Sequence, residues 1–152
     1  MKNREKIVSV DRTQLNHTPE LMYSIISDIT TYPKWWKGAQ FNSFINNEGK
    51  TVLEVSPKGP GNFIWKIEEV VADEKVVLSY DGIFNGTGVW QLLKTGATTK
   101  VSYTVDLDVK HGFYKFINKF FSLEKMHTKM MTEVFRSLDQ HLNNLHRKQL
   151  VK

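Results

Sequence analysis

The chain has no cysteine. Disulfides, thiolate zinc sites and cysteine nucleophiles are therefore excluded. It also lacks any apolar run near the roughly 18 residues that a membrane-spanning helix needs. The opening residues, 1–6, are charged and lead into no apolar core, so they do not read as a signal peptide, and the cytoplasm is the expected compartment. Proline is scarce, at four residues, and none follows Gly112; nor does any later glycine. Acidic residues thin out over the same stretch. Residues 110–152 carry nine Lys/Arg against three Asp/Glu, whereas residues 1–109 carry 12 against 13. The net charge of +5 thus belongs to the last third, at Lys110, Lys115, Lys119, Lys125, Lys129, Arg136, Arg147, Lys148 and Lys152. A solvated helix back is the plain account of it, and a membrane surface is the other. No aromatic-basic pattern of a nucleic-acid fold accompanies these charges, so no nucleic-acid partner is expected.

What the last third does contain is helical periodicity. Phe113, Phe116, Ile117, Phe120, Leu123, Met130, Met131, Val134, Leu138, Leu142 and Leu145 recur at steps of three and four. The spacing predicts one long amphipathic helix over residues 111–146. At about 1.5 Å per residue it would run about 50 Å, and its apolar stripe needs a broad partner. His127 falls near the middle of the stripe set by Phe120, Leu123, Met131, Val134 and Leu138, with Glu124 beside it. It is either a core histidine satisfied by a tyrosine or a carbonyl, or a polar group in a ligand cavity.

The first hundred residues supply the partner. Residues 7–10 read as a strand that runs on unevenly toward Leu15, with a bulge as one explanation. Thr18-Pro19-Glu20 is a helix start: N-cap, proline at the first position, acid in the first turn. Leu21, Met22, Ile25, Ile26 and Ile29 continue it for about three turns, and Pro33-Lys34-Trp35-Trp36 suggests a second short helix. Strand segments follow at residues 41–45, 51–55, 63–68, 76–84, 87–93 and 101–109, with breaks including Pro57-Lys58-Gly59-Pro60-Gly61 and Asn85-Gly86. In the last of them Val101, Tyr103, Val105, Leu107 and Val109 alternate with polar residues, as in a sheet wet on one face. The expected class is α+β, one domain over residues 1–152: a curved antiparallel sheet that grips the C-terminal helix.

This order of elements, with Thr18-Pro19-Glu20, Asp28-Ile29-Thr30-Thr31-Tyr32-Pro33-Lys34-Trp35-Trp36, Gly88-Val89-Trp90-Gln91-Leu92 and Thr98-Thr99-Lys100-Val101-Ser102-Tyr103, resembles the START-like (SRPBCC) superfamily and its polyketide cyclase/dehydrase-like group. The resemblance covers nearly the whole chain. It implies a helix-grip fold: a seven-stranded antiparallel sheet wrapped around a long C-terminal helix, two short helices after strand 1, and a deep cavity between sheet and helix. Members bind lipids, sterols, polyketides, hormones or quinones; some catalyse cyclisation or dehydration, and others act as co-chaperones. No single catalytic motif transfers, and no iron-ligand pattern is present, so neither metal nor cofactor is expected.

Side chains expected to line such a cavity are Trp35, Phe63, Trp65, Ile67, Tyr80, Trp90, Leu92, Tyr103, Val105, Phe120, Glu124, His127, Met130, Met131 and Val134. Aromatic rings with one polar tip and adaptable methionines suit a small apolar or aromatic ligand, although the same residues would also make a dry core. A binding protein is the favoured reading. Alternatives are an enzyme using His127 as general acid or base, tuned by Tyr80, Tyr103 or Glu124, and a module that meets a membrane or partner through the basic helix and exposed Ile83 and Phe84. Phe121, Met126 and Phe135 lie off the main stripe, so both monomer and homodimer stay open.

Overall fold

The computed structural model of the chain describes residues 5–151. Residues 1–4 and Lys152 lie outside them. Strand β1 (Lys6–Leu15) is followed by α1 (Pro19–Ile26), a 3-10 turn (Ile29–Thr31) and α2 (Tyr32–Trp35). Six more strands follow: β2 (Ala39–Ile45), β3 (Thr51–Pro57), β4 (Phe63–Val71), β5 (Lys75–Gly82), β6 (Phe84–Thr95) and β7 (Thr98–Val109). Two helices, α3 (Gly112–Phe120) and α4 (Leu123–Val151), close the chain. The strands form one antiparallel sheet in the order β1-β7-β6-β5-β4-β3-β2. All neighbours but β1 and β7 are consecutive hairpins, and β1 returns as the edge beside the last strand.

Local chemistry sets the element ends. The Thr18 hydroxyl accepts the Leu21 N–H and Pro19 opens α1. The Asp28 carboxylate then accepts the Thr30 N–H and hydroxyl, which starts the 3-10 turn. That turn presents Tyr32, Trp35 and Trp36 to the sheet. The Tyr32 hydroxyl donates to the Ile26 carbonyl at 2.6 Å and the Trp35 indole to Thr31 Oγ1 at 3.1 Å, so both rings are held by their polar tips.

Four expectations need correction. The single long helix is two. Phe121 is extended, the Asn118 side chain accepts the Leu123 N–H at 3.0 Å, and the Ser122 hydroxyl accepts the Lys125 N–H at 3.2 Å. Ser122 is thus an N-cap inside an unbroken apolar periodicity. The bulge is not in β1, which pairs with β7 in unshifted register, but in β4 between Ile67 and Glu69. The break between β5 and β6 falls at Ile83 rather than at Asn85-Gly86, which lies inside β6. Finally, Ile83 is buried and Phe84 half-buried, so neither is the exposed loop residue expected of them.

Candidate functional site

The space between sheet and helices is built largely of rings. Tyr32 and Trp35 of α2, and Trp36 just after it, reach toward Trp65 on β4, Trp90 on β6 and Tyr103 on β7. Trp36 meets Trp65 edge-on at 4.8 Å, Trp35 meets Trp90 at 5.9 Å, and Trp90 lies 4.6 Å from Tyr103. Tyr80 joins through Trp65 at 5.7 Å and Phe63 at 5.1 Å. Such tilted, edge-to-face and stacked pairs add to what burial alone contributes. Tyr80 and Tyr103 are hydrogen-bonded to each other through their hydroxyls. They can meet because Gly88 lies against both rings, and a Cβ there would collide with the Tyr103 hydroxyl. Burial pushes the Tyr80 phenol up to about 12 and raises the Tyr103 phenol well above its ordinary value.

Two buried donors in this array are left over. The indole N–H groups of Trp65 and Trp90 have no hydrogen-bond acceptor. Tyrosine oxygens neighbour them, Tyr80 for Trp65 and Tyr32 for Trp90, but neither stands in bonding geometry. Buried donors are nearly always paired, and leaving one unpaired costs about 1–3 kcal/mol.

A second, polar constellation lies where α4 crosses β1. The inward side of β1 carries Ile7, Ser9, Asp11, Thr13 and Leu15, so three polar residues face the helix while Val8 and Val10 point outward, about half exposed. His127 Nδ1 lies 3.4 Å from Asp11 Oδ2, and its ring is near-parallel to that of Tyr103 at 6.3 Å. Ser9 donates to Asp11 at 3.1 Å and contacts the Thr128 hydroxyl at 3.2 Å. Burial alone would raise the Asp11 carboxyl, but the Ser9 hydrogen bond and the neighbouring His127 and Thr128 side chains outweigh it and hold it below the usual range, although His127 Nδ1 itself stands outside hydrogen-bond geometry. Glu124, expected to tune His127, instead accepts the Val8 N–H at 3.3 Å and so covers part of an edge strand. Further along, His17 Nε2 lies 2.9 Å from Asp139.

Of the residues expected to line a cavity, Trp35, Phe63, Trp65, Tyr80, Trp90, Leu92, Tyr103, Val105, Met131 and Val134 are buried. Ile67 and Met130 pack partly buried against them. Phe120 is contradicted: it sits on α3 at 68 % exposure, because the break at Ser122 turns that helix away from the stripe of α4. Phe135, expected off the stripe, is buried against Trp90 at 6.2 Å, whereas Phe121 and Met126 are exposed. Sequence reasoning also missed Asp11, Trp36 and Phe135. The inward parity of Ile7 and Leu15 marks Asp11, since 7, 11 and 15 share one strand face.

Two openings flank this interior. A cleft of about 300 Å³ lies between β1 and α4, with Leu15 and Phe135 among its lining and Arg12, Thr13, Thr132, Arg136 and Asp139 around them. A second depression, of about 870 Å³, lies on the other face of the sheet, among Arg12, Gln14, Lys75, Gln91, Leu93 and Lys100.

This architecture has known counterparts. A family model for polyketide cyclase / dehydrase and lipid transport proteins matches residues 7–143. The chain belongs to this family. Among solved structures, this polyketide cyclase/dehydrase family chain is similar to a conserved protein from Geobacillus kaustophilus, at 16% identity and TM-score 0.72 over 89% of this chain and 94% of that one. A START superfamily protein from Mycobacterium smegmatis gives 16%, 0.69, 92% and 98% in the same order. The Aha1 dimer from Colwellia psychrerythraea gives 13%, 0.60, 90% and 95%. At such identities they show the START-like helix-grip fold. No curated protein is detectably similar in sequence. Family and fold are consistent with hydrophobic ligand binding. No helix among the described residues is long and apolar enough to cross a membrane.

Proposed function

We propose that the protein binds a small apolar or aromatic molecule, such as a lipid or polyketide, between the sheet and α4. The observation that carries this reading is the pair of unpartnered indole N–H groups, Trp65 and Trp90, inside a ring array whose tyrosine hydroxyls are already paired. A ligand carbonyl or hydroxyl would accept from them while its apolar body replaced ring-to-ring contact, the pattern of a mostly apolar pocket with a few placed polar groups. The β1–α4 cleft is the way in. Phe135 stands between that cleft and Trp90, so binding requires its side chain to move. Fluorescence titration with a panel of fatty acids and aromatic polyketides tests the reading. At least one member should quench the buried tryptophans saturably at 1:1 stoichiometry and raise the thermal midpoint. A panel without either effect would overturn it.

A second reading rests on the Asp11–His127 pair. A carboxylate that orients an imidazole beside Tyr103 is a general acid–base arrangement, suited to proton transfer at a ketone of a bound polyketide. His127 would carry the proton and Asp11 would position it. Turnover of a polyketide-like ketone that falls about 10²–10⁴-fold in His127→Ala, with the fold kept, would establish it; unchanged turnover would remove it.

A further inference from the structure

Helix α3 is turned inside out. Its protein-facing side holds Tyr114, whose hydroxyl donates to the Pro60 carbonyl at 3.0 Å, and Asn118, which receives the Leu123 N–H. Both are buried, while Phe113, Phe116 and Phe120 on the other side are 43 %, 57 % and 68 % exposed. Phe116 and Phe120 pack edge-on at 5.2 Å, and both stay more than half exposed among the described residues. Phe121 and Met126, next along the chain, are also more than half exposed. A helix normally hides its most apolar stripe, and a run of exposed phenylalanines marks a surface that something covers.

The surrounding charge says what. Between residues 110 and 129 stand five lysines and one acid, Glu124, whose carboxylate is taken by the Val8 N–H. Lys115 is paired with Glu5 at 3.4 Å. Lys110, Lys119 and Lys125 have no carboxylate within ion-pair distance among the described residues. We propose that α3 and the α3–α4 junction dock on an anionic lipid bilayer, with the phenylalanines entering the interface and the lysines meeting lipid phosphates. Aromatic residues on one face and lysines beside them form the pattern of an interfacial helix, and α3, about 14 Å long, is short enough to lie flat. A second copy of the chain suits the surface less well. A two-fold contact would set these unpaired lysines against their own copies.

The test is flotation of the full chain with vesicles of phosphatidylcholine, with and without phosphatidylglycerol. The chain should float with the anionic vesicles only, and raised salt should release it. Phe116→Ser/Phe120→Ser should weaken binding at least tenfold, and each lysine removed, as in Lys119→Gln, about fivefold. Since these side chains are exposed, the thermal midpoint should not move, and this separates lost docking from lost fold. Absence of flotation, or equal flotation of the double variant, would overturn the proposal. A concentration-dependent dimer abolished by the same phenylalanine substitutions would overturn it too, by assigning the surface to a second copy. None of these readouts depends on whether a ligand occupies the interior.

Discussion

The carboxylate of Asp11, on the edge strand β1, lies 3.4 Å from the imidazole of His127 on α4, and neither side chain is more than 10 % exposed. The pair fastens the closing helix to the sheet at a strand whose inward side is polar. It also makes that junction sensitive to acid. The Asp11 carboxyl is held below its usual range in the folded protein, so its contribution is complete above the unfolded value, about 3.9, and is lost as pH falls through the folded value. Asp11→Asn should therefore lose about 1–3 kcal/mol at neutral pH and show a flatter decline below about pH 4. Urea unfolding at neutral and acid pH measures both, and parallel declines in parent and variant would contradict it.

At the alkaline end the phenols take over. Burial raises Tyr80 to about 12 and Tyr32 and Tyr103 well above the ordinary value. A raised folded value means that their stabilisation is whole below about pH 10 and disappears as pH climbs toward the folded values. Ultraviolet titration should show these phenols ionising together with unfolding rather than one by one. Tyr103→Phe, which strands the Tyr80 hydroxyl, should cost about 1–3 kcal/mol at neutral pH.

Ser122 caps α4 by accepting the Lys125 N–H. Its replacement by alanine should cost about 0.5–2 kcal/mol, read as a lowered denaturation midpoint. A change of under about 0.3 kcal/mol would mean that Asn118, through the Leu123 N–H, holds the junction by itself.

That junction also shows how far sequence reasoning reaches. Periodicity carried the strands, the first helix and the stripe of Met131, Val134, Leu138 and Leu142, because burial on one face repeats at a fixed step. It failed across Phe120–Ser122, where the apolar spacing continues but a serine hydroxyl and an asparagine amide end one helix and begin another. Phe120 of α3 is expected in the interior for the same reason and is exposed instead: periodicity identifies a stripe, not what covers it. For the site, the rings were visible in the sequence and the partner of His127 was not. Asp11 is 116 positions away and reaches it only through the pairing of β1 beside β7.

Trp90→Phe separates a bound molecule from a packed core. Without ligand the variant should be no less stable than the parent by more than about 1 kcal/mol, because the lost area is offset by removing an unpaired buried donor. Affinity for the ligand should drop about tenfold, the worth of one hydrogen bond. If Trp90→Phe bound every tested molecule as tightly as the parent, the indole would have no part in recognition.

The most direct measurement is denaturing extraction of the purified full chain followed by mass spectrometry of what is released. A small apolar molecule should emerge in near-stoichiometric amount from the parent and in clearly smaller amount from Trp90→Phe. Extracts free of any such molecule, together with no stabilisation by any member of a lipid and polyketide panel, would contradict the account and leave the ring array as a core and nothing more.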